Sequence, residues 1–328
     1  MFFMKKIPVI IAVMFLGLLM ATGCADTTKY TASGKKMSTY VSITIYGGSQ
    51  EIADEALNLC DYYEDILSAR SDNSLLAMLN ETGSLEIDTA EKKVLSDAVR
   101  LGLEYESLTE GALCISLWPL TSLWNFGEEG GRLPTSDEIK QGLLQVGSDR
   151  ISVTDSLITT DGAQIDLGAL AKGYIADRIK DFLLGKNVTS GIISLGGNVL
   201  CIGEKPDGKA FTIGIRRPFG EENDVLVSLK VKDLSVVTSG VYERYFYEDG
   251  VFYHHILNPD TGYPCDNGLL SVTIIAENSA VCDCLSTGCF VLGLEDGLSL
   301  VDSIENVYAI FVDEDYNVIY SDGAKDFL

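Results

Sequence analysis

The chain has 328 residues with 48 acidic and 24 basic side chains, a formal charge of −24 at pH 7. Such a surface repels the phosphates of nucleic acid and of anionic lipid headgroups, which excludes both as electrostatic partners. The length supports a full hydrophobic core without covalent staples, and any phosphate compound bound here needs a local positive field or a divalent cation.

Residues 1–6 are basic, and residues 7–20 form an almost unbroken apolar run, too short to span a bilayer comfortably and built like a signal sequence. Ala21-Thr22-Gly23-Cys24 follows, small residues ending in a cysteine, which resembles the lipobox of bacterial lipoproteins. The expectation is a signal peptide over residues 1–23, a lipidated Cys24, and a polar tether over residues 24–36. The protein is then anchored at the extracytoplasmic face of a bacterial membrane. Loss of residues 1–23 removes Lys5 and Lys6 and moves the charge from −24 to −26, so membrane contact rests on the lipid.

No Pro/Gly/Ser-rich linker, charge block or repeat interrupts residues 37–328, which read as one domain. Residues 40–46 alternate and are β-branched, hence a strand. Gln50–Leu67 carries Ile52, Ala56, Leu59, Tyr63, Ile66 and Leu67 at helical spacing, and residues 94–108 repeat that pattern. A strand is expected to end near Leu167, followed by a helix with Leu170, Ile175, Ile179 and Phe182 or Leu183 on its core face. Short strands follow at residues 192–195, 211–216 and 225–231. Residues 242–248 and 251–257 flank Asp249-Gly250, a strong hairpin signal, and a turn-rich loop covers residues 258–262. A helix from about Ala280 to Gly293 and a hairpin of residues 307–312 and 317–320 complete the chain. Strands and helices do not alternate regularly enough for a doubly wound sheet, so the fold class is α+β, with mixed, largely antiparallel sheets flanked by helices.

Eight cysteines minus Cys24 leave Cys60, Cys114, Cys201, Cys265, Cys282, Cys284 and Cys289, an odd and scattered set. They read as buried small hydrophobes rather than a disulfide framework, and Cys282 with Cys284 lacks the paired motif of a zinc site.

Four stretches could carry chemistry. In residues 163–177, Gly168, Ala169 and Ala171 are expected in the first turn of a helix, where free N–H groups and the macrodipole attract phosphate. Lys172 adds charge there, and Asp166 either caps the helix or binds a polar ligand group; a capped helix with a surface lysine is the plain alternative. Asp283 and Thr287 lie four apart on one helical face, two oxygen donors suited to a hard cation such as Mg2+. The plain alternative is an aspartate favoured by the dipole and a threonine bonding back along its helix. Residues 238–244 precede His254 and His255, the two histidines of the chain, which strand alternation points to opposite faces. One of them could move a proton or simply fix a turn. Ser194-Leu195-Gly196-Gly197-Asn198 adds a glycine pair after a strand.

In this order, residues 166–177, 195–199, 238–244, 255–264 and 283–287 resemble the FAD:protein FMN transferase family, also called the ApbE family. Weaker matches lie at Met37-Ser38-Thr39, residues 74–80 and Trp118-Pro119-Leu120. The resemblance spans the whole expected domain. It implies a Mg2+-dependent enzyme that cleaves FAD, releases AMP and attaches FMN by a phosphoester bond to a threonine or serine of an acceptor protein. It further implies that Asp283 and Thr287 bind the metal with the backbone carbonyl of Ala169. Met37, Ala112, Leu113, Cys114, Asp166, Lys172, His255 and Ile256 would contact FAD, and His255 and Asp283 would be the catalytic pair. Acceptors of the membrane-redox or extracellular electron-transfer type, with a flavin-attachment Thr/Ser motif, are the implied partners; no such motif occurs in this chain. The family usually has phenylalanine and aspartate where Leu113 and Cys114 stand, glycine at Ser38 and Trp118, and aspartate at Asn258. Two other readings share these residues: a Mg2+-dependent FAD pyrophosphatase giving FMN and AMP, and a non-enzymatic FAD-binding lipoprotein.

Overall fold

The computed structural model describes residues 27–127, 131–221 and 223–328; the expected signal peptide and Cys24 lie outside the described residues. In chain order the strands are β1 (Lys29–Lys36), β2 (Thr39–Tyr46), β3 (Ser84–Glu86), β4 (Ser152–Val153), β5 (Leu157–Thr159), β6 (Gly191–Leu195), β7 (Asn198–Ile202), β8 (Phe211–Arg216), β9 (Val225–Val231), β10 (Ser235–Gly240), β11 (Tyr245–Glu248), β12 (Val251–His254), β13 (Leu269–Ala276), β14 (Tyr308–Asp313) and β15 (Val318–Tyr320). The helices are α1 (Gln50–Leu67), α2 (Leu75–Thr82), α3 (Ala90–Leu108), α4 (Trp118–Trp124), α5 (Ser136–Leu143), α6 (Ala171–Gly185), α7 (Ser279–Leu292) and α8 (Leu294–Asp302).

Eight strands form the main sheet in the order β1-β2-β6-β7-β10-β13-β14-β15. Every neighbouring pair in it is antiparallel. Alternation sorts each strand between two faces. Val41, Ile43, Ile45, Ile193 and Leu195 pack beneath α1, α3 and α6, and Val237, Val272, Ile274 and Phe311 pack beneath α7 and α8. The intervening residues Ile192, Cys201, Val236, Ile275 and Ile310 face the other way and are covered by the β8–β9 hairpin through Phe211, Ile213 and Leu229. The chain thus buries both faces of the sheet, and the α+β expectation is met.

A smaller aromatic lobe stands beside this body. Trp124, Phe126, Leu120 and Ile139 of the α4–α5 region pack against Leu257, with Phe246 and Tyr253 of the β11–β12 hairpin alongside. The Trp124 indole N–H donates to the Gly262 carbonyl at 2.8 Å and fixes the loop after the hairpin.

Five expectations need correction. Residues 29–36 are not tether: they form β1, with all eight residues registered against β2, and Ala32 is buried. Their polar composition hid this because an edge strand needs only its backbone and one apolar face. No strand ends near Leu167, where residues 163–167 are irregular. The following helix begins at Ala171, so Gly168 and Ala169 form the turn ahead of it rather than its first turn. The hairpin strands are shorter than expected, at Tyr245–Glu248 and Val251–His254. Helix α3 starts at Ala90, earlier than periodicity suggested, because Thr89 caps it by accepting the Lys92 N–H while the first turn is polar.

Candidate active site

The loop before α6 is pinned from two sides. The Asp166 N–H donates to the Ile115 carbonyl at 2.8 Å. Its carboxylate accepts the Gly168 N–H at 2.8 Å and the Thr121 hydroxyl at 2.6 Å. Asp166 therefore closes a turn and is held by α4 instead of capping α6.

Lys172 follows in the first turn of α6, its ammonium 3.8 Å from Asp283 Oδ1. The next residue, Gly173, donates its N–H to Asp283 Oδ2 at 2.9 Å. That N–H is one of the N-terminal donors of α6 with no acceptor inside the helix, and Asp283 supplies the acceptor from α7. Ala169, in the turn just ahead of α6, lines the same cleft as Lys172 and Asp283. Asp283 is buried, and burial pushes its carboxyl pKa up, against the opposing pull of the Lys172 charge and the Gly173 N–H.

Thr287 stands one turn beyond Asp283 on α7 and lines the cleft with it. Its hydroxyl shares a hydrogen bond with Ser239 Oγ of β10 at 3.1 Å. The bond back along α7 is made by Ser286, whose hydroxyl donates to the Asp283 carbonyl at 3.0 Å. A carboxylate, a hydroxyl and a backbone carbonyl are all hard oxygen donors, and the set fits a hard divalent cation. Among the described residues no group of three or more His, Cys, Asp or Glu side chains could hold a metal, and the seven described cysteines are free and buried.

The two histidines separate as alternation requires. The ring of His254 turns inward; its Nε2 lies 2.9 Å from the Cys265 carbonyl, and Nδ1 accepts the Ile256 N–H at 3.3 Å. Both nitrogens are occupied, so it holds the strand end in place. His255 turns into the cleft. Burial, with the charges of Arg244 and Lys172 nearby, pushes its pKa down to about 3, so the ring is neutral. Nδ1 lies 3.3 Å from the Arg244 carbonyl, which can only accept; Nδ1 therefore carries the proton and Nε2 is left as an acceptor.

The remaining walls come from loops. Met37 and Ser38 make the two-residue β1–β2 turn, both with positive φ, at 50° and 56°. Glu64 near the end of α1 accepts the Met37 N–H at 3.2 Å. In the stretch after α3, the Leu113 N–H donates to Thr109 Oγ1 and the Ile115 N–H to Glu106 Oε2, which aims Ala112, Leu113 and Cys114 at the cleft. Burial pushes the Cys114 thiol pKa up, so a neutral group stands where the family pattern has a carboxylate. Asn258 keeps the loop geometry without charge, its Oδ1 accepting the N–H groups of Asp260 and Thr261.

These residues surround one cleft of about 650 Å³. Met37, Ala112, Leu113, Cys114, Asp166, Ala169, Lys172, His255, Ile256, Asp283 and Thr287 all line it. Sequence reading missed Thr121, Glu64 and Arg70, which also border it. Arg70 stacks over Trp118, 5.7 Å from the ring, and donates to Asn125 Oδ1. No local pattern marks an arginine in a loop or a threonine in a short helix as part of this cleft.

Known proteins resemble this chain in sequence and in fold. The family model described as "ApbE family" matches residues 37–311. The FAD:protein FMN transferase of Klebsiella pneumoniae (strain 342) is 33% identical over 301 residues, covering 90% of this chain and 93% of its own length. The same-named protein of Treponema pallidum (strain Nichols) is 34% identical over 291 residues, covering 83% and 80%. The crystal structure of the ApbE protein of Thermotoga maritima superposes with a TM-score of 0.83 at 31% identity, covering 92% of this chain and 99% of that one. The flavin transferase ApbE of Vibrio cholerae superposes with a TM-score of 0.81 at 26% identity and the same coverage. With the family model matched over most of its length and the Klebsiella and Treponema relatives at 33% and 34% identity, the chain belongs to the ApbE family.

Proposed function

We propose that this protein is an FAD:protein FMN transferase: an acceptor hydroxyl attacks the FMN-side phosphorus of FAD, the bond to AMP breaks, and FMN remains on the acceptor as a phosphoester. The observation that carries the reading is that Asp283, tied to α6 by the Gly173 N–H and 3.8 Å from the Lys172 ammonium, lines one cleft together with Ala169 and Thr287. Mg2+ held by Asp283, Thr287 and the Ala169 carbonyl would neutralise the pyrophosphate and stabilise departing AMP. Lys172 supplies fixed positive charge in a chain that otherwise repels phosphate. Neutral His255, with Nε2 free to accept, takes the proton of the incoming hydroxyl. Thr121 and Gly168 hold Asp166 toward a polar group of the nucleotide.

The signal-like residues 1–23 and the lipobox-like Cys24 support a lipid anchor at the extracytoplasmic membrane face, where redox proteins with flavin-attachment motifs are the acceptors. Among the described residues no helix is long and apolar enough to cross a membrane.

The test is intact mass spectrometry of an acceptor domain after incubation with the protein, FAD and Mg2+, in parallel with AMP measurement. An FMN-sized mass gain on the acceptor with equimolar AMP supports transfer, and Asp283→Asn lowers both by roughly a hundredfold or more. Free FMN and AMP without acceptor labelling would establish the pyrophosphatase instead, and FAD binding without AMP release would leave only a binding protein.

A further inference from the structure

Asp177 lies on α6, one turn beyond Gly173, and is buried away from the cleft. Its two carboxylate oxygens accept the N–H groups of Ser279 and Ala280, each at 2.9 Å. Those are the first two residues of α7, whose N–H groups have no partner within the helix. Asn278 already caps α7 by accepting the Val281 N–H, so Asp177 covers the two donors that the cap cannot reach.

The exchange runs the opposite way between Gly173 and Asp283. Each helix thus places a carboxylate on backbone N–H groups of the other, at points four residues apart on both. Close approach is required: a Cβ on Gly173 would lie 2.3 Å from the Ser279 carbonyl oxygen. Ser279 is held from the sheet as well, its hydroxyl donating to Asn198 Oδ1 at 2.9 Å and accepting from Ser235 Oγ at 2.8 Å. Neutral serine or asparagine side chains bind helix N-termini at lower desolvation cost than a buried carboxylate. What the carboxylate adds is two acceptors fixed on one rigid helix, opposite two donors on another.

We propose that Asp177 is a positioning residue for flavin transfer: it sets the height and rotation of α7 on α6, and through them the placement of Asp283 and Thr287 against Ala169 and Lys172. The proposal rests on the cation site assigned above; Asp177 itself touches neither metal nor FAD. Groups that hold a metal ligand in place change metal affinity when altered, even without touching the ion.

The test titrates Mg2+ alone into the FAD-free protein by calorimetry and measures the Mg2+ dependence of AMP release, for the parent and three variants. Asp177→Asn keeps the shape but turns an amide donor toward one of the two N–H groups. It is expected to weaken Mg2+ binding by roughly ten- to a hundredfold and to raise the Mg2+ concentration for half-maximal AMP release equally. KM for FAD at saturating Mg2+ is expected to change far less. Asp177→Glu retains both acceptors one methylene further out and gives a smaller loss in the same direction; it decides the matter if the asparagine variant does not fold. Phe211→Leu, on the opposite face of the sheet, lowers the melting temperature without moving the Mg2+ constant. An unchanged Mg2+ constant in a folded Asp177 variant overturns the proposal, as does an equal shift in Phe211→Leu. A parent protein that releases AMP in the presence of chelator removes the cation site and the proposal together, whereas a Mg2+-dependent parent with an indifferent Asp177 variant removes the proposal alone.

Discussion

Ser38 shows how a single residue can depart from a family pattern at a known cost. The turn between β1 and β2 needs positive φ at both central positions, which favours glycine, and Ser38 sits at 56°. Ser38→Gly is therefore expected to stabilise the fold by about 1 kcal/mol, read as a rise in melting temperature. A loss of stability would mean that the serine makes a contact worth more than its backbone strain. His255 carries a second expectation at this scale. Its folded pKa of about 3 lies below the ordinary histidine value of 6.5, chiefly through burial. The unfolded chain takes up that proton as pH falls through 6.5 while the folded ring does not, so the stability present above 6.5 is lost progressively toward pH 3. Proton NMR checks this simply, because the chain has two histidines. The His255 imidazole should not titrate between pH 8 and 5 in the folded protein, and His254 should titrate below the ordinary histidine value, since burial pushes it down too. A midpoint near 6.5 for His255 would contradict the neutral acceptor role.

Among the elements, the contact between α6 and α7 does most to build the site. Gly173→Ala places a methyl group against the Ser279 carbonyl and forces the helices apart. We expect about 1–3 kcal/mol of destabilisation and a loss of AMP release larger than the loss of FAD binding, measured by chemical denaturation, product assay and FAD titration. Equal losses of release and binding would point to general unfolding. The long helices were easy to read, since Gln50–Leu67 follows the 3.6-residue period over its whole length and matches the sequence reading. Short α4 and α5 gave no such period, and their burial is set by the aromatic lobe. The start of α6 was misplaced because glycine and alanine are compatible with a turn or a helix, and the Asp166 turn decided between them.

For the whole molecule, the sheet divides stability from chemistry. Phe211 is fully buried in the core on the face opposite the helices. Phe211→Ala is expected to cost about 3–5 kcal/mol by denaturant titration while the folded fraction keeps the parent KM for FAD. A changed KM would show that the two faces are coupled. By itself the sequence determined the composition and charge, the periodic helices, the hairpin at Asp249-Gly250 and the ordered motifs that point to one family. All of these depend on residues near one another in the chain or on residue types alone. Only the tertiary structure decided that a polar segment at residues 29–36 is an edge strand, that Thr121 holds Asp166 across 45 residues, and that Gly173 gives its N–H to Asp283 across 110. Those contacts depend on which surfaces meet when the helices pack on the sheet, a long-range outcome that no local spacing encodes.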